Sequence, residues 1–167
     1  MQKRVLSLLV DNNPGVTSRI SGLFSRRGYN IDSFSSGVTA DPRYTRITIV
    51  CSGDANILDQ IFRQVEKLVD VRDIRVLDPG ESVIRELMLV KVAAGPDQRQ
   101  GIINIADIFR AKIVDVSSDS LIIEMTGPQN KLEAFLELMS DYEILEIART
   151  GVTGLTRGGD SHNQYNV

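Results

Sequence analysis

The stretch Asp11-Asn12-Asn13-Pro14-Gly15 separates an apolar run, Arg4 to Val10, from a segment in which Val16, Ile20, Leu23 and Phe24 recur at i, i+4, i+7 and i+8. The run predicts a strand. The recurrence predicts an amphipathic helix over Val16–Arg27, stopped by Gly28 where a left-handed residue ends a helix. Pro14 and Gly15 let the chain turn sharply and leave bare backbone at the surface. The first N–H groups of a helix lack intrahelical partners, and the helix dipole favours negative charge beside them. This stretch is therefore either a plain strand-to-helix turn or a seat for a small anion such as a carboxylate.

Outward from that turn the pattern continues. A second strand is expected from Asn30 to Val38, a turn at Ala40–Arg43, and a third, alternating strand over Arg46–Ser52. Asp54 is an N-cap candidate for a helix carrying Leu58, Ile61, Phe62, Val65 and Leu68 on one side. A fourth strand follows at Val71–Leu77, and Asp78-Pro79-Gly80-Glu81-Ser82 reads as a linker.

Beyond the linker the order repeats. Glu86–Ala93 reads as a strand, and Ile102, Ile105, Ala106 and Phe109 form a helical stripe. Lys112–Ser117 and Leu121–Thr126 form a hairpin around Ser118-Asp119, Leu132, Phe135, Leu136 and Met139 form another stripe, and Ile144–Ala148 closes the set. Asn30-Ile31-Asp32-Ser33 aligns with Lys112-Ile113-Val114-Asp115, and Asn56–Leu68 with Asn130–Tyr142 in apolar spacing. Two copies of a βαββαβ unit of about 75–80 residues account for this, each a four-stranded antiparallel sheet with two helices on one face, the ferredoxin-like arrangement of the α+β class. The expected division is 1–78, a linker at 79–82, a second domain at 83–156, and a disordered tail at 157–167 that holds the only histidine, His162.

The 167 residues are 42% hydrophobic and 25% charged, ordinary for a soluble globular protein. No apolar run approaches the roughly 20 residues that span a bilayer, and Met1-Gln2-Lys3-Arg4 leads straight into a strand without a signal-peptide pattern. These features point to a cytoplasmic protein without a membrane partner. Cys51 alternates with Ile47 and Ile49 and reads as a core side chain, and a lone cysteine cannot form an intrachain disulfide. The net charge of −3, spread along the chain, argues against nucleic acid as a partner. The aliphatic first and third strands lack the aromatic pattern of RNA-binding ferredoxin-like domains. There is no cysteine pair for a metallochaperone, no phosphate-binding glycine motif, and no rigid histidine, cysteine or carboxylate constellation for a triad or metal centre. The reading is of a chain that is not an enzyme by itself, with no catalytic or metal residues.

Asn12-Asn13-Pro14-Gly15-Val16 and Gly22-Leu23-Phe24-Ser25-Arg26-Arg27-Gly28-Tyr29-Asn30-Ile31 resemble the amino-acid-binding ACT domain of the acetohydroxyacid synthase small, regulatory subunit. The resemblance continues through Arg85–Lys91, Phe109–Val116 and Arg149-Thr150-Gly151, and so spans nearly all of the chain before the tail. It implies an N-terminal ACT domain, a second ferredoxin-like domain, and a separate catalytic subunit that uses thiamine diphosphate, Mg and FAD, with no cofactor in this chain. It also implies activation of that subunit and feedback inhibition by valine or another branched-chain amino acid. The alternative is a free-standing ACT-type sensor acting on another enzyme or regulator.

The family's effector contacts fall here on Asn12, Pro14, Gly15, Val16, Asn30 and Ile31. Thr17 stands where the family pattern has leucine, so the apolar shelf of the pocket differs. In a ferredoxin-like sheet of order 4-1-3-2 the first loop lies at the opposite end from Asn30. Strand two, however, is an edge, and an exposed edge invites pairing. A homodimer formed by antiparallel pairing of two such edges brings the partner's Asn30 to this chain's loop, giving two equivalent sites between subunits. Backbone near Gly15 and Val16 would take the carboxylate, Asn12 and the partner's Asn30 would supply oxygens for the ammonium, and the partner's Ile31 would offer apolar surface.

Overall fold

The computed structural model describes residues 2–158; the remaining stretch of the expected tail, 159–167, lies outside them. Contacts divide the described residues into two compact units, 2–84 with 152–158, and 85–151.

In the first unit, β1 (Gln2–Asp11) leads through the 12–15 loop into α1 (Val16–Arg27), followed by β2 (Ile31–Val38), β3 (Tyr44–Gly53), α2 (Ala55–Glu66) and β4 (Val71–Val76). The sheet order is β2-β3-β1-β4, all antiparallel, with β2 and β4 at the edges. The caps follow the sequence signals. Gly28 takes a left-handed φ of 67° and its N–H bonds to the last carbonyls of α1, and the Asp54 carboxylate accepts from the Ile57 N–H at 2.9 Å.

Alternation sorts β1 into two faces. Leu6, Leu8 and Val10 join Ile47, Ile49 and Cys51 of β3 against Ile20, Phe24, Leu58, Ile61 and Val65 of the helices, forming one core. Ser7 and Leu9 point the other way and are buried too. Burial pushes the Cys51 thiol up to about 11, so it stays protonated and serves as a core side chain.

The second unit repeats the plan. Its elements are β5 (Ser82–Ala93), α3 (Pro96–Ile108), β6 (Lys112–Val116), β7 (Ser120–Gly127), α4 (Gln129–Leu138), a 3-10 turn at Met139–Asp141 and β8 (Ile144–Arg149), in the order β6-β7-β5-β8. Met88, Val90, Val92, Ile123, Leu132 and Phe135 lie in its core, with Phe109 edge-on to Phe135. Glu86, buried, receives a bidentate pair of bonds from Arg149 at 2.9 and 2.7 Å, which ties β5 to β8.

Two details differ from the sequence reading. β5 begins at Ser82, inside the expected linker, and a further strand, β9 (Thr153–Thr156), follows β8. The reading assigned 83–156 to the second domain, yet residues 152–158 lie with the first unit. Val152 is buried and its N–H donates to the Ser33 hydroxyl at 3.1 Å; β9 pairs with the start of β5, and the Arg157 N–H reaches the Glu81 carbonyl at 2.7 Å.

A Cβ at Gly154 would stand 2.7 Å from the Val83 carbonyl oxygen and 3.0–3.1 Å from Ile84 and Leu77, whereas one at Gly80 meets nothing within 4 Å. Gly154→Ala is therefore expected to destabilise the first unit by about 1–3 kcal/mol and Gly80→Ala to leave it nearly unchanged, as read by urea denaturation. Equal midpoints for the two variants would show that β9 is not part of that unit's packing.

Candidate functional site

At the end of β1 the chain leaves the sheet between two ion pairs. Asp11 is gripped by Arg72 through two bonds, its Oδ1 accepting from Nε at 2.7 Å and its Oδ2 from Nη2 at 2.5 Å. One turn into α1, Arg19 grips Asp70 in the same way, Nε to Oδ2 at 2.6 Å and Nη2 to Oδ1 at 2.9 Å. The Asp11 N–H also bonds to the Asp70 carbonyl at 2.9 Å, so the loop after β1 is fastened to the residue that precedes β4.

Between these pairs lies the turn. Asn12, Pro14 and Gly15 are exposed; Gly15 is the N-cap of α1 with φ 85° and ψ −6°, a left-handed conformation that glycine adopts without a Cβ penalty. No side chain caps the helix, and its first turn carries no acidic residue. The N–H groups of Thr17 and Ser18 have no acceptor among the described residues, which leaves donors facing outward. Val16 turns its side chain into the core, so its backbone alone faces the turn.

Asn12 has a fixed place of its own. Its N–H donates to the Arg43 carbonyl at 2.8 Å, its Nδ2 to the Pro42 carbonyl at 2.9 Å, and its Oδ1 accepts from Thr45 at 3.1 Å. The side chain thus clips the loop to the β2–β3 turn, and its oxygen retains one acceptor position.

Asn30 and Ile31 sit elsewhere. Ile31 opposes Cys51 on β3 and Cys51 opposes Arg4 on β1, whereas Asp11 opposes Tyr44. Seven residue steps of about 3.4 Å separate these ends, roughly 24 Å. Within one chain the two groups do not meet. Asn30 donates from Nδ2 to Asp32 at 2.6 Å, and Asp32 also accepts from the Ser52 hydroxyl, which leaves the Asn30 Oδ1 available as an acceptor. Ile31 packs against the core edge. β2 pairs only with β3 among the described residues, so its other edge is open.

Neither Arg19 nor Asp70 stands out among the residues singled out from the sequence. The signal was topological: the residue before a fourth strand that neighbours the first must lie beside the loop that the first strand feeds. The Arg19 guanidinium beside Asp70 holds its carboxyl below the usual carboxylate range, chiefly through their hydrogen bonds, and the pairing raises Arg19 in turn.

Among the described residues no group of three or more histidine, cysteine, aspartate or glutamate side chains could hold a metal, and no helix is long and apolar enough to cross a membrane.

Residues 6–73 match the family described as the AHAS (acetohydroxyacid synthase) small subunit-like ACT domain, and residues 85–158 match the small subunit of acetolactate synthase. The acetolactate synthase small subunit of Mycolicibacterium smegmatis is 48% identical over 153 residues, covering 92% of this chain and 90% of the relative. The isozyme 3 small subunit of Escherichia coli is 44% identical over 157 residues, 93% of this chain and 96% of its own. The crystal structure of the acetolactate synthase small subunit of Thermotoga maritima superposes with a TM-score of 0.86 at 39% identity, over 95% of this chain and 99% of that one. Fold and match together define a two-unit ACT-domain protein. The chain belongs to the small-subunit family of acetolactate synthase, the family its sequence resembles. The relatives' names describe a subunit, in line with a chain that performs no chemistry by itself.

Because the folded-state pKa of Asp70 is depressed, its pairing stabilises the fold above the ordinary carboxylate range and loses that effect as pH falls through it. Asp70→Asn is expected to lower the melting temperature at neutral pH, with the gap to the parent protein closing as pH falls through and below the ordinary carboxylate range. A gap that persists undiminished at the acid end would mean that the ionised pair does not hold the loop.

Proposed function

We propose that this chain is the regulatory subunit of acetohydroxyacid synthase. It binds and activates a catalytic subunit that uses thiamine diphosphate, Mg and FAD, and it confers feedback inhibition by valine or another branched-chain amino acid. Membership of the small-subunit family supports the role. The observation that carries the sensing part is the split between the Asn12–Val16 turn at one end of the sheet and Asn30 and Ile31 at the other, with the open edge of β2 between them.

Pairing of two β2 edges about a two-fold near the middle of the strand reconciles this separation with one site. It carries the partner's Asn30 toward the Thr39–Arg43 turn, to which Asn12 is already fastened. Each dimer then holds two equivalent sites. The carboxylate lies at the uncapped start of α1, the ammonium among the free oxygens of Asn12 and the partner's Asn30, and the branched side chain against the partner's Ile31. A ligand that bridges two chains stabilises one dimer arrangement. It inhibits to the extent that this arrangement engages the catalytic subunit differently, and a coupling of ~1–3 kcal/mol gives roughly 5–150-fold control.

Gly15→Asp tests the site. A carboxylate at residue 15 meets Arg19 and occupies the seat of the effector's own, although the left-handed backbone adds some strain. Calorimetry is expected to show valine binding weakened by at least about tenfold while the purified variant still activates its catalytic subunit. Unchanged valine affinity in a folded variant would refute this placement.

A further inference from the structure

Arg19 stands four residues beyond Gly15 on the first turn of α1. Asp70 takes its Nε and Nη2. Its Nη1 has no partner among the described residues and lies 3.0 Å from where a Cβ on Gly15 would stand. Any other side chain at residue 15 would fill the space before that nitrogen, which glycine leaves open. The Arg19 side chain is 47% exposed and its anchor Asp70 only 10%, so the guanidinium is reachable by solutes but held along one edge. A guanidinium fixed in this way keeps its remaining donors aimed, and a planar fork loses little entropy in binding a carboxylate.

The second unit provides an internal comparison. The Ala93 N–H bonds to the Glu143 carbonyl at 2.9 Å, as the Asp11 N–H does to Asp70, so Glu143 occupies the place of Asp70. Arg99 follows the N-cap Gly95 by four residues, as Arg19 follows Gly15. The use differs. Arg99 donates from Nη2 to the carbonyls of Ala94, Ser117 and Ser118 at 3.2, 2.7 and 3.0 Å, and its Nε is buried with no partner among the described residues. This guanidinium is drawn into its own turns, whereas that of Arg19 is turned outward by a carboxylate.

We infer that Arg19 is the side chain that reads the effector's carboxylate, with Asp70 as its positioning residue. The inference rests on the effector site proposed above and adds the side chain that distinguishes a free carboxylate there from its amide. Nη1 donates to one carboxylate oxygen while the unpaired N–H groups of α1 face the other.

The test is calorimetry on the full chain with valine, leucine and isoleucine, followed by the amide of whichever binds most tightly. The parent protein is expected to prefer the acid. Arg19→Ala is expected to weaken acid binding roughly 10- to 100-fold and to move the amide by less than about threefold, so the preference collapses. Arg19→Lys restores part of it, Asp70→Asn reduces it, and Arg99→Ala leaves it intact. A parent protein that prefers neither form, or folded Arg19→Ala and Arg19→Gln variants that keep the preference, would overturn the assignment of Arg19 while leaving the effector site standing. A parent protein that binds none of the three amino acids would instead overturn the effector reading itself, and the assignment with it.

Discussion

Burial of β1 on both faces leaves its backbone no water to bond, so its N–H and C=O groups must be taken up by β3 on one side and β4 on the other. That requirement orders the first unit. With β1 central, the helices have one apolar face of sheet to cover, β2 is left at the rim, and the 12–15 loop must emerge at the end where β3 begins and β4 starts. Asp70 and Arg72 flank the start of β4, which is why two ion pairs converge on one loop. The same arrangement puts Asn30 at the far end. The separation of Asn12 from Asn30 within one chain is thus a consequence of strand order.

Much of this was legible in residue types because it is local. The helical recurrence of Val16, Ile20, Leu23 and Phe24 corresponds to a buried face, Gly28 adopts the left-handed end, and Asp54 caps the second helix. The alternation of Ile47, Ile49 and Cys51 corresponds to the core side of β3. The repeat of one βαββαβ plan and the edge position of β2 followed from the order of these elements. What stayed hidden depends on distant residues. The grip of Arg19 on Asp70 spans 51 positions and leaves no periodic trace. Asn12 reads as a turn former or a ligand contact, while its bonds to Pro42 and Thr45 depend on a turn some thirty residues away (|i−j| = 30 and 33). β9 escaped notice because four residues with one buried glycine carry too little alternation to mark a strand.

The two units show how one plan diverges. Both place an arginine four residues past a glycine N-cap, and both tie the end of their first strand to the residue before their last. The first loop has a left-handed glycine and a guanidinium held by a carboxylate. The second has Gly95 at φ −65°, a proline at the start of the helix and a guanidinium bonded to three carbonyls. An open turn has become a closed one with little change in the scaffold, because the difference lies in loop residues and in one side chain's choice of acceptor.

The return of the chain to its starting unit has a consequence for how the protein is made. Ser33 receives its bond from Val152, 119 residues later in translation. A ribosome therefore releases the sheet and helices of the first unit well before it releases the strand that completes them, and the second unit is synthesised in the interval. Until then the pairing positions beside Val83 and Ile84 are unfilled, a vulnerable window in which a nascent chain can stick to a neighbour. Closure by β9 is thus a late step: a prematurely terminated product keeps the 12–15 loop but lacks the final fastening of its unit.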